Sequence, residues 1–382
     1  MLDLRRFTGR ELRLTDKLVE FNWGFLLLLV LIASIGFAML YSVAEGSFSP
    51  WAYRQALRFA FGVCILLIAA MIDLRLWMRL AYPLYGAALA MLVAVEVVGM
   101  TGMGAQRWLN LGIVQIQPSE VMKVTLLMAL ARYFHGLTLD EVSRLRNLVI
   151  PVALIAAPVG LVFLQPDLGT AILLTASGAI LFFAAGLRWR YFILSGAAVL
   201  ATVPVIWSRL HDYQKNRVFT FLDPERDPLG TGYHILQSKI ALGAGGVFGK
   251  GFMEGTQSQL NFLPEKHTDF IFTMLGEELG LAGGLVLLAL YFIVLMFSLN
   301  VAMQCRNQFG RLLAIGVSMT FFLYVFINTA MVMGLLPVVG VPLPLVSYGG
   351  TAMLSLMFAF GLLMSVHIHR NVEISRGPSA FW

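Results

Sequence analysis

WGFLLLLVLIASIGFAMLYSV (23–43) runs for 21 residues without a charged side chain. An α-helix rises about 1.5 Å per residue, so a run of this length can cross the ~30 Å hydrocarbon core of a bilayer. Comparable runs recur near 56–72, 79–100, 118–134, 147–164, 168–186, 190–208, 270–299, 311–334 and 350–369. Of the 382 residues, 59% are hydrophobic and 13% charged, and the mean hydropathy is +0.80. Soluble domains carry about a quarter charged residues. The pattern predicts an all-α polytopic membrane protein with about ten transmembrane helices, and it argues against a soluble domain. The runs at 56–72, 118–134 and 147–164 are short for a crossing, which leaves their ends open.

The segment ahead of the first run, residues 1–22, is rich in charge, and the apolar run behind it has no small-residue cleavage site. It reads as a flank of a retained span, not a signal peptide. Ten spans put both termini on one side. That side carries sixteen Lys and Arg residues in its termini and short connections. The short loops of the other side carry three, Arg54, Arg58 and Arg107. Basic residues concentrate in cytoplasmic loops, so both termini, 1–22 and 370–382, are expected in the cytoplasm. The same asymmetry explains the net charge of +6 without a nucleic-acid partner. Cys64 and Cys305 suggest no disulfide framework.

This orientation leaves one large extracytoplasmic loop, 209–267, between helices seven and eight. At some 59 residues it is too long for a turn, and its aromatic and aliphatic residues argue against disorder. YHILQSKIAL (233–242) has the pattern of a short amphipathic helix with Leu236 and Ile240 on one face. NRVFTFLDPERDPLG (216–230) places Asp223 and Asp227 before prolines, as corners do. It also places Arg217 where lipid phosphates are at hand. GAGGVFGKGFMEG (243–255) holds six glycines but fits neither a P-loop nor GxGxxG. A hinge and a close approach to a ligand or another segment both remain open.

Polar groups gather at the outer ends of the spans. QPSEVMK (117–123) sets Glu120 and Lys123 three residues apart on one helical face. Charges at that depth usually face a protein interior or a wet cavity, so an ion pair and a substrate contact both fit. QPDLGTA (165–171) places Asp167 where a helix cap belongs. LPEKHTDF (263–270) puts Glu265, Lys266, His267 and Asp269 at the start of the eighth span, with Glu277 and Glu278 one to two turns further on. Asp269 suits a helix cap and equally a general base at a partly desolvated membrane edge. His367 and His369 lie at the inner end of the last span, and no metal-binding signature accompanies them.

The run from Asn216 to Gly280 resembles the outer loop and eighth span of SEDS proteins (shape, elongation, division and sporulation). AQRWL (105–109), QPSEVMK, QPDLGTA and LPLVSYGGT (343–351) resemble further landmarks of that family, in family order, over nearly the whole chain. The GKGFMEGTQSQLNFLPEKHTDF wording and the LPLVSYGGT ending are closer to the elongation branch than to the division branch. The resemblance implies a glycosyltransferase of the bacterial cytoplasmic membrane that polymerises lipid II, with its active site on the extracytoplasmic face. It implies Asp269 as the catalytic carboxylate, Glu120 and Lys123 lining the polar cavity, and Arg107 and Trp108 beside it. Arg217, Gln237, Lys250, His267 and Glu277 complete the expected substrate-binding set. Amides of the glycine run are further candidates to hold phosphate. The implied partners are lipid II, lipid-linked glycan, a class B penicillin-binding protein that crosslinks the product, the elongation machinery and the bilayer. A divalent cation, Mg or Mn, is the one cofactor expectation. A lipid II flippase, a scaffold for the crosslinking enzyme and a division-type polymerase are the alternatives.

Overall fold

The structure is a computed structural model that describes residues 13–102, 105–110, 115–165, 167–209, 215, 219–221, 223, 231–256 and 265–374. Arg217, Asp227, Leu263 and Pro264 lie outside the described residues. The chain begins with a short α1 (Leu14–Glu20) and continues through α2 (Trp23–Val43), α3 (Trp51–Met71) and α4 (Leu74–Val98). Next come α5 (Pro118–His135), α6 (Leu139–Val142), α7 (Leu145–Leu164), α8 (Leu168–Ala184) and α9 (Trp189–Arg209). The outer loop contributes α10 (Thr231–Ala244), followed by α11 (Ile271–Gln304), α12 (Gln308–Val332) and α13 (Gly350–Ile368). Among the described residues, seven helices, α2, α3, α4, α7, α11, α12 and α13, are long and apolar enough to cross a membrane. The other three long helices, α5, α8 and α9, fall on the three remaining apolar runs.

One element departs from the all-α expectation. Between α4 and α5 the chain forms a small antiparallel sheet, β1 (Met100–Gly102), β2 (Ala105–Asn110) and β3 (Gln115–Ile116), in that order. AQRWLN is therefore a strand that delivers Arg107 and Trp108, not an irregular loop.

Helix α5 sits in the middle of the bundle and packs against α4, α7, α8, α12 and α13. Of its 18 residues only Val121 and Tyr133 are not fully buried. A helix surrounded by other helices need not present an apolar face to lipid, which is how Glu120, Lys123 and Arg132 are accommodated along it. Arg132 donates to the Arg79 carbonyl at 2.9 Å and lies over the Tyr82 ring at 4.4 Å. An aromatic cluster joins four other helices: Phe25 of α2 stacks on Phe297 of α11 at 4.6 Å, and Phe360 of α13 meets Phe25 and Phe321 of α12 at 5.5 Å.

The link between α12 and α13 is non-helical, and its stretch 341–347 is mostly buried, with Val341, Leu343, Leu345 and Val346 in the core. Irregular backbone away from water requires partners for its polar groups, and several are visible. The Tyr291 hydroxyl donates to the Pro344 carbonyl at 2.6 Å. Gln55 donates to the Ser347 carbonyl at 2.8 Å. The Ser347 hydroxyl accepts from the Leu343 amide at 2.7 Å and donates to the Thr268 carbonyl at 2.6 Å.

Candidate active site

The turn that presents Asp269 is built by its neighbours. The Glu265 carbonyl accepts from the Thr268 and Phe270 amides at 3.2 and 3.3 Å. The Glu265 carboxylate takes the Thr268 hydroxyl at 2.8 Å. The capping position of α11 falls on Phe270, and Asp269 stands one residue ahead of it. The turn is fastened to the α12–α13 link. The Tyr348 amide donates to the His267 carbonyl at 2.9 Å, and Ser347 holds the Thr268 carbonyl as described. Asn328 of α12 donates both to the Asp269 carbonyl at 2.9 Å and to the Val341 carbonyl at 2.7 Å. Asp269 Oδ2 faces Gly340, whose φ is +72° and where an added Cβ would stand 3.5 Å from it.

His267 stacks on Trp51 with ring centroids 4.7 Å apart and meets Tyr348 at 5.9 Å. Arg58 lies over the same Tyr348 ring at 4.7 Å. Burial lowers the His267 imidazole from its ordinary value. Glu265 partly opposes that shift and Lys266 adds to it. Burial likewise lowers the Lys266 ammonium, against the pull of Glu45.

One turn along α12 from Asn328, Tyr324 meets the charged pair of α5. Lys123 donates to Glu120 Oε1 at 2.7 Å, and the Tyr324 hydroxyl donates to Glu120 Oε2 at 2.8 Å. Lys123 also donates to the Tyr324 oxygen. All three side chains are buried. They line a cavity whose other walls include Thr320, Phe321, Leu343, Ser347 and Gly349. Its empty space is about 600 Å³ with its open mouth included. Ser347 therefore touches both this cavity and the Asp269 turn.

Further charged residues expected in the site form two pairs. Asp167 caps α8, accepting from the Thr170 amide at 3.2 Å and hydroxyl at 3.0 Å. Its carboxylate is 3.8 Å from Arg107 Nε. The cap reading of Asp167 therefore holds, with Arg107 added to it. Lys250 pairs with Glu277 at 2.8 Å and donates to Thr256 at 2.8 Å. Glu278 accepts from Ser42 and from the Met253 amide. The two buried carboxylates thus hold the glycine run against α11. The amides of Lys250 and Gly251 donate to the carbonyls of Glu277 and Glu278 at 3.0 and 3.1 Å, so these two are committed to protein and do not form a phosphate cradle. Gln237 is half-buried on α10, whose packed face is Ile235, Ser238 and Ala241 while Ile240 points outward. Among the described residues, no three His, Cys, Asp or Glu side chains are grouped to hold a metal ion.

The structure brings Asp269 and the Glu120–Lys123 pair to one framework. It places Arg107 with Asp167, and Lys250 with Glu277. Tyr324, Asn328, Ser347 and Trp51 are site residues that sequence reasoning missed. An amide at 328 inside an apolar span was the available signal, since polar groups there are costly.

A family model described as cell cycle protein, covering FtsW, RodA and SpoVE, matches residues 18–372. The chain belongs to this family. The FtsW/RodA/SpoVE relatives include "Peptidoglycan glycosyltransferase MrdB" of Escherichia coli K12, 48% identical over 91% of this chain and 94% of that protein. "Probable peptidoglycan glycosyltransferase FtsW" of Trichlorobacter lovleyi is 39% identical over 93% of this chain and 95% of that protein. Among solved structures, a chain from work on the structural coordination of polymerization and crosslinking by a peptidoglycan synthase complex superposes with a TM-score of 0.81. It is 34% identical and covers 92% of this chain and 98% of its own. The crystal structure of the rod shape determining protein RodA of Thermus thermophilus gives a TM-score of 0.70 at 29% identity, covering 92% and 98%. The chain is therefore a multi-pass membrane protein with a RodA-like fold.

Proposed function

We propose that this chain is a peptidoglycan glycosyltransferase that polymerises lipid II into β-1,4-linked glycan during cell elongation. The observation that carries the reaction class is the 48% identity to the E. coli glycosyltransferase over 91% of the chain. The lower 39% identity to the FtsW relative favours elongation over division.

The residue roles follow from chemistry. The acceptor is lipid II, through the C4 hydroxyl of its GlcNAc. The donor is the growing glycan, whose MurNAc C1 is bonded to undecaprenyl pyrophosphate. The C4 oxygen attacks C1, the C1–O bond to pyrophosphate breaks, and the α-linkage inverts to β. An alcohol is a weak nucleophile near neutral pH, so a positioned carboxylate assists by taking its proton. Asp269 has that role. The leaving pyrophosphate gains negative charge that preorganised cations stabilise. Lys123, which lines the cavity, is assigned this role, and Arg107, Lys250 and Arg217 are the further cations of the set. The lipid tails stay in the bilayer between helices, which holds both substrates near one site.

The site lies on the extracytoplasmic face of the bacterial cytoplasmic membrane. Residues 1–22 and 370–382 are cytoplasmic and 209–267 is outside, as the distribution of Lys and Arg supports. The partner is a class B penicillin-binding protein that crosslinks the glycan within the elongation machinery. The likeness to a chain from a complex coordinating polymerization and crosslinking supports this assignment.

The test compares wild type with Asp269→Asn. The variant is expected to insert, keep its melting temperature and bind the crosslinking partner, yet lose at least a hundredfold in polymerisation rate, the usual scale for removing a general base. Polymerisation at the wild-type rate removes Asp269 from the mechanism.

A further inference from the structure

Asn328 and Tyr324 lie four residues apart on α12, which puts them on one helical face. Each is fully or nearly fully buried, and each binds a different part of the site. The Tyr324 hydroxyl is shared between Glu120 and Lys123 of α5, and the Lys123 ammonium is 4.6 Å from the Tyr324 ring centroid. The Asn328 amide spends both N–H groups on carbonyls, at Asp269 and at Val341. Those two bonds fix which way the amide faces. They also tie the Asp269 turn to the strip of backbone that runs on to Gly340 and Ser347. A buried carboxamide and a buried phenol are poor choices for an apolar span if only packing is required. Tyr324 directs its hydrogen bonds to the charged pair that lines the cavity, and Asn328 directs its own to the Asp269 turn and to Val341.

We infer that Tyr324 and Asn328 are positioning residues that hold the Glu120–Lys123 pair and the Asp269 carboxylate in fixed register on one turn of α12. The inference rests on the assignment of Asp269 as the base and of Lys123 as a cation at the leaving group. Proton removal at one end and charge stabilisation at the other must coincide in one transition state. Displacement of either group by about 1 Å can cost a hundredfold in rate. The helix supplies the common reference, because a single rigid turn carries both contacts. Tyr324 has a second effect. Its hydroxyl donates to Glu120 and accepts from Lys123, so a single oxygen is hydrogen-bonded to both members of the ion pair.

The experiment measures kcat, KM for lipid II and the pH dependence of kcat for purified wild type, Tyr324→Phe, Asn328→Leu and Asp269→Asn, with melting temperatures alongside. Tyr324→Phe keeps the ring and removes one oxygen. It is expected to lower kcat at least tenfold with KM within twofold, and to displace the pH profile. Asn328→Leu keeps the volume and removes both donors, and the same fall in kcat is expected. Should that variant fail to fold, Asn328→Ser, which cannot reach both carbonyls, carries the same expectation. Packing alone moves the melting temperature and leaves the pH profile in place. If Asp269→Asn is inactive while Tyr324→Phe and the folded Asn328 variant keep kcat within twofold and an unshifted profile, the inference is overturned and the base assignment stands. If Asp269→Asn is active, the base assignment itself fails, and the positioning role falls with it.

Discussion

His267 stacks on Trp51, and its carbonyl accepts the Tyr348 amide. Burial lowers its imidazole from the ordinary 6.5, so the folded chain takes up this proton less readily than the unfolded chain. Below about pH 6.5 the unfolded state then binds more protons, and stability falls as pH falls through the folded value. At neutral pH the ring is uncharged and the contribution is fully present. His267→Phe keeps an aromatic ring on Trp51 and removes the titration. Its melting temperature is expected to decline less between pH 7 and pH 5 than that of wild type, and parallel declines would exclude His267 as the cause. At this scale the sequence was legible where chemistry is local. Asp167 caps the helix it precedes, and Glu120 meets Lys123 three residues on. Asn328 stood out as an amide inside an apolar span, but its partners were not legible, because both are distant in the chain and no local pattern encodes them. Lys250 shows the same limit from the other side: its motif was plain, but its pairing with Glu277 depends on how the loop folds back.

The glycine run and the eighth apolar run form one element pair. Helix α11 is broken at Gly280, with φ 67° and ψ −166°, a region that residues with a Cβ hardly enter. The break leaves room for residues 245–251 to lie against the helix backbone. The Leu281 and Ala282 amides donate to the carbonyls of Gly246 and Val247 at 2.9 and 3.0 Å. An added Cβ at Gly249 would overlap the Glu278 carbonyl, and one at Gly280 would overlap the Gly249 amide nitrogen. Gly280→Ala therefore costs about 1–3 kcal/mol for the backbone conformation alone, with the steric overlap in addition. Thermal unfolding in detergent is expected to show a clear drop. An unchanged melting temperature would contradict the packed-clasp description. Six glycines in thirteen positions signalled close approach, but not its target. The target is a helix break that periodicity cannot reveal, since apolar residues continue on both sides of Gly280.

At the scale of the whole molecule, each apolar run falls on a helix among the described residues, seven of them long and apolar enough to cross a membrane, because lipid imposes one simple demand, length in apolar residues. The helix that meets this demand least, α5, is the one shielded from lipid by its neighbours. The three short strands before it escaped notice because two to six residues give no reliable alternation. Which helix lies beside which was likewise hidden, since hydropathy carries no address. Only the assembled bundle shows that one turn of α12 touches both the α5 charges and the Asp269 turn. The most direct test of the account is polymerisation of purified lipid II by the purified chain in detergent, where no second compartment exists. The account predicts β-1,4-linked glycan and released undecaprenyl pyrophosphate from wild type, and neither from Asp269→Asn. Absence of glycan from a folded wild-type chain supplied with its crosslinking partner, or equal product from the variant, would contradict it.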